Sequence, residues 1–233
     1  LNEYKKRLIQ LGEESWRIKV SGMHSINLLK SINKIKINEL SKKIGINLNE
    51  PYLLLTFHPV TIEKNQTKRQ IGEILKAIKK TKINTVVTYP NADLGHNFII
   101  RMLLKKLRNK KKYSIIKNCG LRVYSSLMKN CLAMIGNSSS GIVEAASFGI
   151  PVINIGTRQD GKFKPKNIIN CRYSSRNIYN KILKVKNKKI SKKLKNMKNP
   201  YEGKISLNKI ISAILNLKKN DKILRKRFIN IEV

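Results

Sequence analysis

Residues 132–162 read LAMIGNSSSGIVEAASFGIPVINIGTRQDGK, and the alternation inside this stretch decides the fold. Leu132 to Ile135 is a short apolar run bounded by Gly136, Ser139 to Phe148 carries a helical pattern, and Val152 to Ile155 is a second apolar run closed by Gly156. Short apolar runs separated by longer amphipathic segments mark a parallel sheet covered by helices.

The same rhythm extends outward as far back as Ile37. Strands are expected at Tyr52 to Phe57, Ile83 to Thr88 and Tyr113 to Ile116, with helices near Arg69 to Lys80, Gly95 to Lys106 and Val123 to Asn130. Repeated β-α units joined by right-handed crossovers make this an α/β chain. After Asn167 the chain is expected to turn helical and lysine-rich, with Ile190, Leu194 and Met197 at i, i+4 and i+7 forming one buried stripe. Residues 199–203, Asn-Pro-Tyr-Glu-Gly, read as a break; a helix resumes from Ile205 to Lys219, and Asp221 is placed to cap a final helix through Phe228. At the other end, Glu3 to Leu11 reads as a helix ended by Gly12, Arg17 to Val20 as a strand and Gly22 as a hinge.

The composition bounds the function class. The chain has 233 residues, 41% of them hydrophobic, enough for a real core and too many for intrinsic disorder. No apolar run approaches the ~18 residues of a spanning helix, so no membrane partner is expected and a cytoplasmic location is the default. The net charge of +37 invites a nucleic-acid reading, but 39 of the 50 basic residues are lysines scattered along the whole chain. Arginine forks and interleaved aromatics, which read and stack on bases, are scarce, and no nucleic-acid partner is expected. Three widely spaced cysteines, Cys119, Cys131 and Cys171, form neither a disulfide framework nor a metal cluster. No metal and no cofactor is expected.

In a doubly wound sheet, ligands bind beyond the carboxyl ends of the strands. The loops at those ends hold residues 56–61 (TFHPVT), 89–93 (YPNAD), 136–141 (GNSSSG) and 156–162 (GTRQDGK). Ser138, Ser139 and Ser140 stand at a helix start, where free backbone N–H groups attract anions. Glu144, one turn on, can accept two hydrogen bonds from a ribose diol, and Arg158 offers a bidentate fork to phosphate. His58 can donate to a phosphate or serve as acid or base. Serines are also ordinary helix caps, Glu in a first turn suits the helix dipole, and Asn91 and Asp93 suit a turn. The residues alone leave both uses open.

The string from Gly136 to Lys162 closely resembles the signature of the hydrolysing UDP-N-acetylglucosamine 2-epimerases. The segments 58–61 (HPVT), 90–93 (PNAD) and 199–201 (NPY) recur in that family's order and spacing, so the resemblance spans nearly the whole chain. It is nearest to the sialic-acid branch, which includes relatives acting on UDP-diacetylbacillosamine. The resemblance implies a Rossmann-like parallel sheet flanked by helices, forming the C-terminal half of a glycosyltransferase-B type two-domain fold. Residues 1–22 would then be the remnant of the first domain and its hinge, and residues 23–233 the UDP-binding domain with its terminal helices.

By the same resemblance, Ser138 and Ser139 hold the diphosphate, Glu144 the ribose hydroxyls and Arg158 the UDP moiety. His58 reaches the phosphates beside the reacting sugar as the catalytic residue of this half, Asn91 lines the cleft, and Tyr124 sits beside the uracil. The implied reaction removes the proton at C2, eliminates UDP to give a glycal, and adds water to release N-acetylmannosamine. The catalytic carboxylates lie on the family's first domain, which this sequence lacks, so the chain supplies mainly UDP binding and is expected to be inactive alone. A homo-oligomer is expected of the two-domain protein. The alternatives are a UDP-N,N'-diacetylbacillosamine 2-epimerase, a glycosyltransferase of the same fold, and a basic non-catalytic binding module.

Overall fold

Tyr52–Thr56 forms β1, buried at all five positions in the middle of a six-stranded parallel sheet. The other strands are β2 (Asn84–Thr88), β3 (Tyr113–Ile116), β4 (Ala133–Gly136), β5 (Val152–Ile155) and β6 (Ile168–Cys171). Their order is β3-β2-β1-β4-β5-β6. A parallel strand covered on both faces reads as a continuous apolar run, which is why Leu53, Leu54 and Leu55 follow one another and are all fully buried. The direction of winding reverses between β1 and β4, where Leu54 pairs with Met134, and a crevice opens at the carboxyl ends of these two strands. The Rossmann-like α/β class expected from the sequence is the class observed.

The computed structural model describes residues 1–203, 207–217 and 221–230. They form two units, Leu29–Asn199, which holds the sheet, and Leu1–Leu28 together with the chain from Pro200 onward. In chain order the helices are α1 (Asn2–Gln10), α2 (His24–Ser31), α3 (Ile37–Ile44), α4 (Thr67–Thr81), α5 (His96–Leu107) and α6 (Gly120–Asn130). They continue with α7 (Ser139–Val143), α8 (Ser175–Val185), α9 (Lys188–Leu194), α10 (Leu207–Leu215) and α11 (Asp221–Leu224).

One face of the sheet is packed by α4, α5 and α8, the other by α3 and α6. On α4 the apolar residues Ile71, Ile74, Leu75 and Ile78 recur at helical spacing and meet Leu53 and Leu55, while Leu54 points to the opposite face toward Leu40 and Leu127. Burying each such side chain contributes about 2 kcal/mol relative to exposure.

Four expectations outside the crevice need correction. The segment after Asn167 opens as strand β6, not as a helix; it is a four-residue edge strand whose Asn170 is reached by Asn154 at 3.0 Å, too short and too polar to announce itself. Arg17 to Val20 is not a strand: Ser15–Arg17 is a single 3-10 turn in which Arg17 pairs with Glu14 at 2.9 Å and stacks over Trp16, and neither contact suits a pleated ladder. The stripe through Met197 stops early because α9 ends at Leu194, the buried member. The last helix covers Asp221–Leu224 only; Phe228 instead lies against Gly12, where a Cβ would come within 2.2 Å of the ring.

The expected helix Ile205 to Lys219 is observed as α10; residues 205, 206, 218 and 219, and the capping side chain of Asp221, lie outside the described residues. Residues 199–203 form the expected break. Gly22, at φ +76°, crosses Gly203 so closely that a Cβ there would lie 2.0 Å from the Gly203 Cα.

Candidate functional site

The crevice between β1 and β4 is walled by four loops, and a single asparagine ties three of them together. Asn137 follows β4 and is fully buried. Its side-chain oxygen accepts the backbone N–H of His58 at 2.7 Å, and its side-chain nitrogen donates to the His58 carbonyl at 2.9 Å. Its own carbonyl accepts from Arg158 at 3.2 Å and from the buried Gln159 at 2.8 Å. The loops after β1, β4 and β5 are thereby held in one register.

Gly136 makes this closeness possible. Its φ of +124° is a conformation only glycine adopts without strain, and a Cβ built there would lie 1.9 Å from the carbonyl oxygen of Thr56. The backbones of β1 and β4 therefore nearly touch where the crevice begins, and the N–H of Asn137 donates to that same oxygen at 3.2 Å.

His58 is 4% exposed, and its Nδ1 accepts the backbone N–H of Asn91 at 3.0 Å. A neutral imidazole that accepts at Nδ1 carries its proton on Nε2, so His58 is set up as a donor. Burial pushes its pKa down to about 4; the nearby Arg158 pushes the same way and Asp93 opposes. Neutral in the fold and protonated when unfolded below its ordinary value of 6.5, His58 binds fewer protons folded than unfolded between about pH 6.5 and 4. Its contribution is complete above pH 6.5 and is lost as pH falls through that window, amounting to about 3 kcal/mol in full. His58→Asn, whose side-chain oxygen can replace Nδ1 as acceptor, is expected to flatten the fall in melting temperature over this range. An unchanged pH profile in calorimetry would reject the assignment.

Arg158 is half-buried, 3.5 Å from the Asp93 carboxylate, and so joins the loop after β2 to the loop after β5. Asn91 contributes its backbone to His58, while its side chain is exposed. His58, Asn91 and Arg158 thus converge as one group.

The serines form a second group on the same crevice. Ser138 caps α7, its hydroxyl accepting the Ser140 N–H at 3.4 Å, and Ser139 is exposed. The tyrosine expected to sit beside a base, Tyr124 on α6, shares a 2.5 Å hydrogen bond with Ser140, and burial raises its phenol to about 12. Tyr124 also borders a cavity of about 300 Å³ lined by Thr88, Lys117, Asn118, Cys119 and Gly120.

The single helix expected from Ser139 to Phe148 is broken: α7 ends at Val143, and a 3-10 turn follows over Ala145–Phe148. Gly141 lets this segment press on β5, since a Cβ there would come within 2.9 Å of Val152. Glu144 occupies the joint, half-buried, and burial raises its carboxyl pKa. It has no ion-pair partner among the described residues. Sequence reasoning missed Asn137 and Gln159, and treated Asp93 as a turn residue. Asn137 stands inside the GNSSSG string, but nothing local distinguishes an asparagine that turns inward from one that caps a helix.

Chemically, the crevice offers a neutral imidazole donor, a guanidinium, exposed backbone and hydroxyl groups at the start of α7, and a half-buried carboxylate near Tyr124. That set fits a ligand with an anionic centre, a diol and a flat or apolar end.

Comparison with known proteins identifies the family. The profile of the family described as UDP-N-acetylglucosamine 2-epimerase matches residues 1–215. A Campylobacter jejuni GDP/UDP-N,N'-diacetylbacillosamine 2-epimerase (hydrolyzing) is 37% identical over 98% of this chain, and a Neisseria meningitidis UDP-N-acetylglucosamine 2-epimerase is 32% identical over 76% of it. The chain spans 59% and 46% of the lengths of these two relatives. Among solved structures, Staphylococcus aureus MnaA with UDP superposes with a TM-score of 0.71 at 18% identity, over 93% of this chain and 60% of that one. The Neisseria meningitidis enzyme bound to UDP-GlcNAc superposes with a TM-score of 0.69 at 19% identity, over 91% of this chain and 59% of that one. With residues 1–215 of 233 and its six-stranded Rossmann-like sheet accounted for in this way, the chain belongs to the UDP-N-acetylglucosamine 2-epimerase family.

Proposed function

We propose that this chain is the UDP-gripping part of a hydrolysing UDP-amino-sugar 2-epimerase, with UDP-N-acetylglucosamine or UDP-N,N'-diacetylbacillosamine as substrate. The observation that carries it is the meeting of His58, Arg158 and the α7 serines around the β1–β4 crevice, with Glu144 and Tyr124 one step further in. The diacetylated substrate is favoured by one finding, the hydrolysing Campylobacter jejuni relative that matches over 98% of the chain. A product of the N-acetylmannosamine type would serve sialic- or legionaminic-acid-like synthesis, and the cytoplasm is the proposed setting.

The reaction breaks the C2–H bond and the C1–O bond to UDP, forms the C1–C2 double bond of a glycal, and then adds water across it to release the free 2-epimer. Arg158 and the exposed N–H groups at the start of α7 bear on the negative charge that grows on the departing diphosphate. His58 donates from Nε2 to a phosphate oxygen next to the bond that breaks, its orientation set by Asn91 and Asn137. Glu144, partly desolvated and without a cationic partner among the described residues, gains two hydrogen-bond donors when a ribose diol arrives. Tyr124 and its cavity receive the uracil.

The base that takes the C2 proton is assigned to a preceding domain of the whole protein, and residues 1–22 to the connection with it. Two facts support this: the chain spans about 60% of the solved relatives, and α10 exposes Leu207, Ile211, Ile214 and Leu215, an apolar face of the kind that other protein covers. The whole protein is proposed to be oligomeric.

UDP at about 100 times its Kd is expected to stabilise the chain by about 2.7 kcal/mol. Arg158→Ala and Glu144→Ala should each abolish most of the rise in melting temperature that UDP produces. An unaltered response in both variants would refute the site, and turnover by the 233-residue chain alone would refute the division of labour.

A further inference from the structure

A second concavity lies in the helical layer, away from the β1–β4 crevice. It is a groove of about 600 Å³ against α4 and the flank of α5, within the roughly 300–1,000 Å³ range of small-molecule sites. Lys68 and Arg69 stand at one end of it, Lys76 and Lys79 along α4, and Lys106 reaches in from α5. The one carboxylate in its wall among the described residues, Glu73, is already engaged: one oxygen accepts from Lys76 at 2.9 Å, the other from the backbone N–H of Ser175 at 2.7 Å. These bonds hold its carboxyl far below the ordinary range.

Lys79 is therefore left facing cations. It is half-buried, and burial, then Lys110 and Lys106, lower its pKa. Neither Lys79 nor Lys106 has a carboxylate partner among the described residues. Like charges gathered in a partly desolvated groove repel more strongly than on open surface, and an anion that enters relieves the repulsion.

The floor supplies an independent observation. Gly72 lies in the middle of α4, where glycine weakens a helix relative to alanine, and a Cβ there would meet nothing within 4 Å. Helix packing does not require this glycine, and it lines the groove together with Leu75 and Met102.

We propose that the groove between α4 and α5 binds a compact polyanion, a small molecule with three or more phosphate or carboxylate charges, at a site separate from the nucleotide crevice. Among the described residues, the lining holds no aromatic side chain on which nucleic-acid bases would stack, which favours a small anion over a polynucleotide. Lysine ammoniums act as point charges and do not choose between phosphate and carboxylate, so both sources are probed.

The test is calorimetric titration of the full chain at low salt with inorganic tripolyphosphate and, in parallel, citrate. Binding of one or both is expected to persist in saturating UDP and in Arg158→Ala. It should weaken by about tenfold or more, as charge-assisted contacts are lost, in the Lys79→Gln/Lys106→Gln double variant. The uncharged plug Gly72→Leu, which favours the helix and points into open space, should weaken it as much. The control Lys42→Gln/Lys43→Gln, on α3 across the sheet, should change it little. The proposal is overturned if the control weakens binding as much as the groove variant, if Gly72→Leu leaves it intact, or if UDP displaces the probe. It is likewise overturned if a short oligothymidylate outcompetes tripolyphosphate in a Gly72-dependent way, since the occupant would then be a nucleic acid.

Discussion

Replacing Gly136 by alanine is expected to destabilise the chain by about 4 kcal/mol or more, an effect at the far end of what single substitutions do. At φ +124° alanine is strained, and its Cβ would sit 1.9 Å from the Thr56 oxygen and 2.7 Å from the Thr56 carbonyl carbon. Both are backbone atoms of the central strand, so no side chain can swing away; β1 and β4 must separate. Separation breaks the bond from the Asn137 N–H to Thr56 and opens the crevice at its base. Thermal unfolding of the purified variant measures the effect. The contrast is Gly72→Ala, where open space and a helical backbone predict a gain of about 0.5–1 kcal/mol. Equal stabilities for the two variants would show that the close approach of β1 and β4 has been misplaced.

Asn137→Leu is the second large effect, and its character differs. The branched outline and the number of side-chain heavy atoms are kept, but the backbone N–H and C=O of His58 both lose their partner inside a buried loop. An unsatisfied buried group costs about 1–3 kcal/mol, so the pair predicts a loss of about 3 kcal/mol or more. Asn137→Asp keeps the acceptor for the His58 N–H and removes the donor to the His58 carbonyl, and should fall between. UDP binding should weaken in both variants, because the loops bearing His58 and Arg158 are no longer held in register. A leucine variant as stable as the parent, with its UDP response intact, would remove Asn137 from the site.

These two positions mark where reading along the chain stopped. Five of the six strands and the helices α4, α5 and α6 can be placed from apolar runs and helical spacing, because parallel strands buried on both faces are written as nearly unbroken hydrophobic segments such as Tyr52 to Thr56. The loops that carry chemistry follow from the strands, since their carboxyl ends face one crevice. Short elements are harder. The edge strand Ile168–Cys171 packs on one neighbour only and carries a polar residue at its third position, and the 3-10 turn at Ser15–Arg17 answers to local ion pairs.

The sequence alone determined the alternating α/β order, the strings GNSSSG and GTRQDGK at strand ends, and the kinship those strings imply. Tertiary structure alone decided that Asn137, and no serine, joins the loops; that His58 is a neutral donor with its proton on Nε2; and that Glu144 sits at a break between two short helices. It also showed that scattered lysines gather into a groove on α4 and α5. The physical reason is range. Periodicity and capping act between residues a few positions apart, whereas desolvation, like-charge repulsion and the bonds from residue 137 to residue 58 depend on distances that only the closed sheet sets.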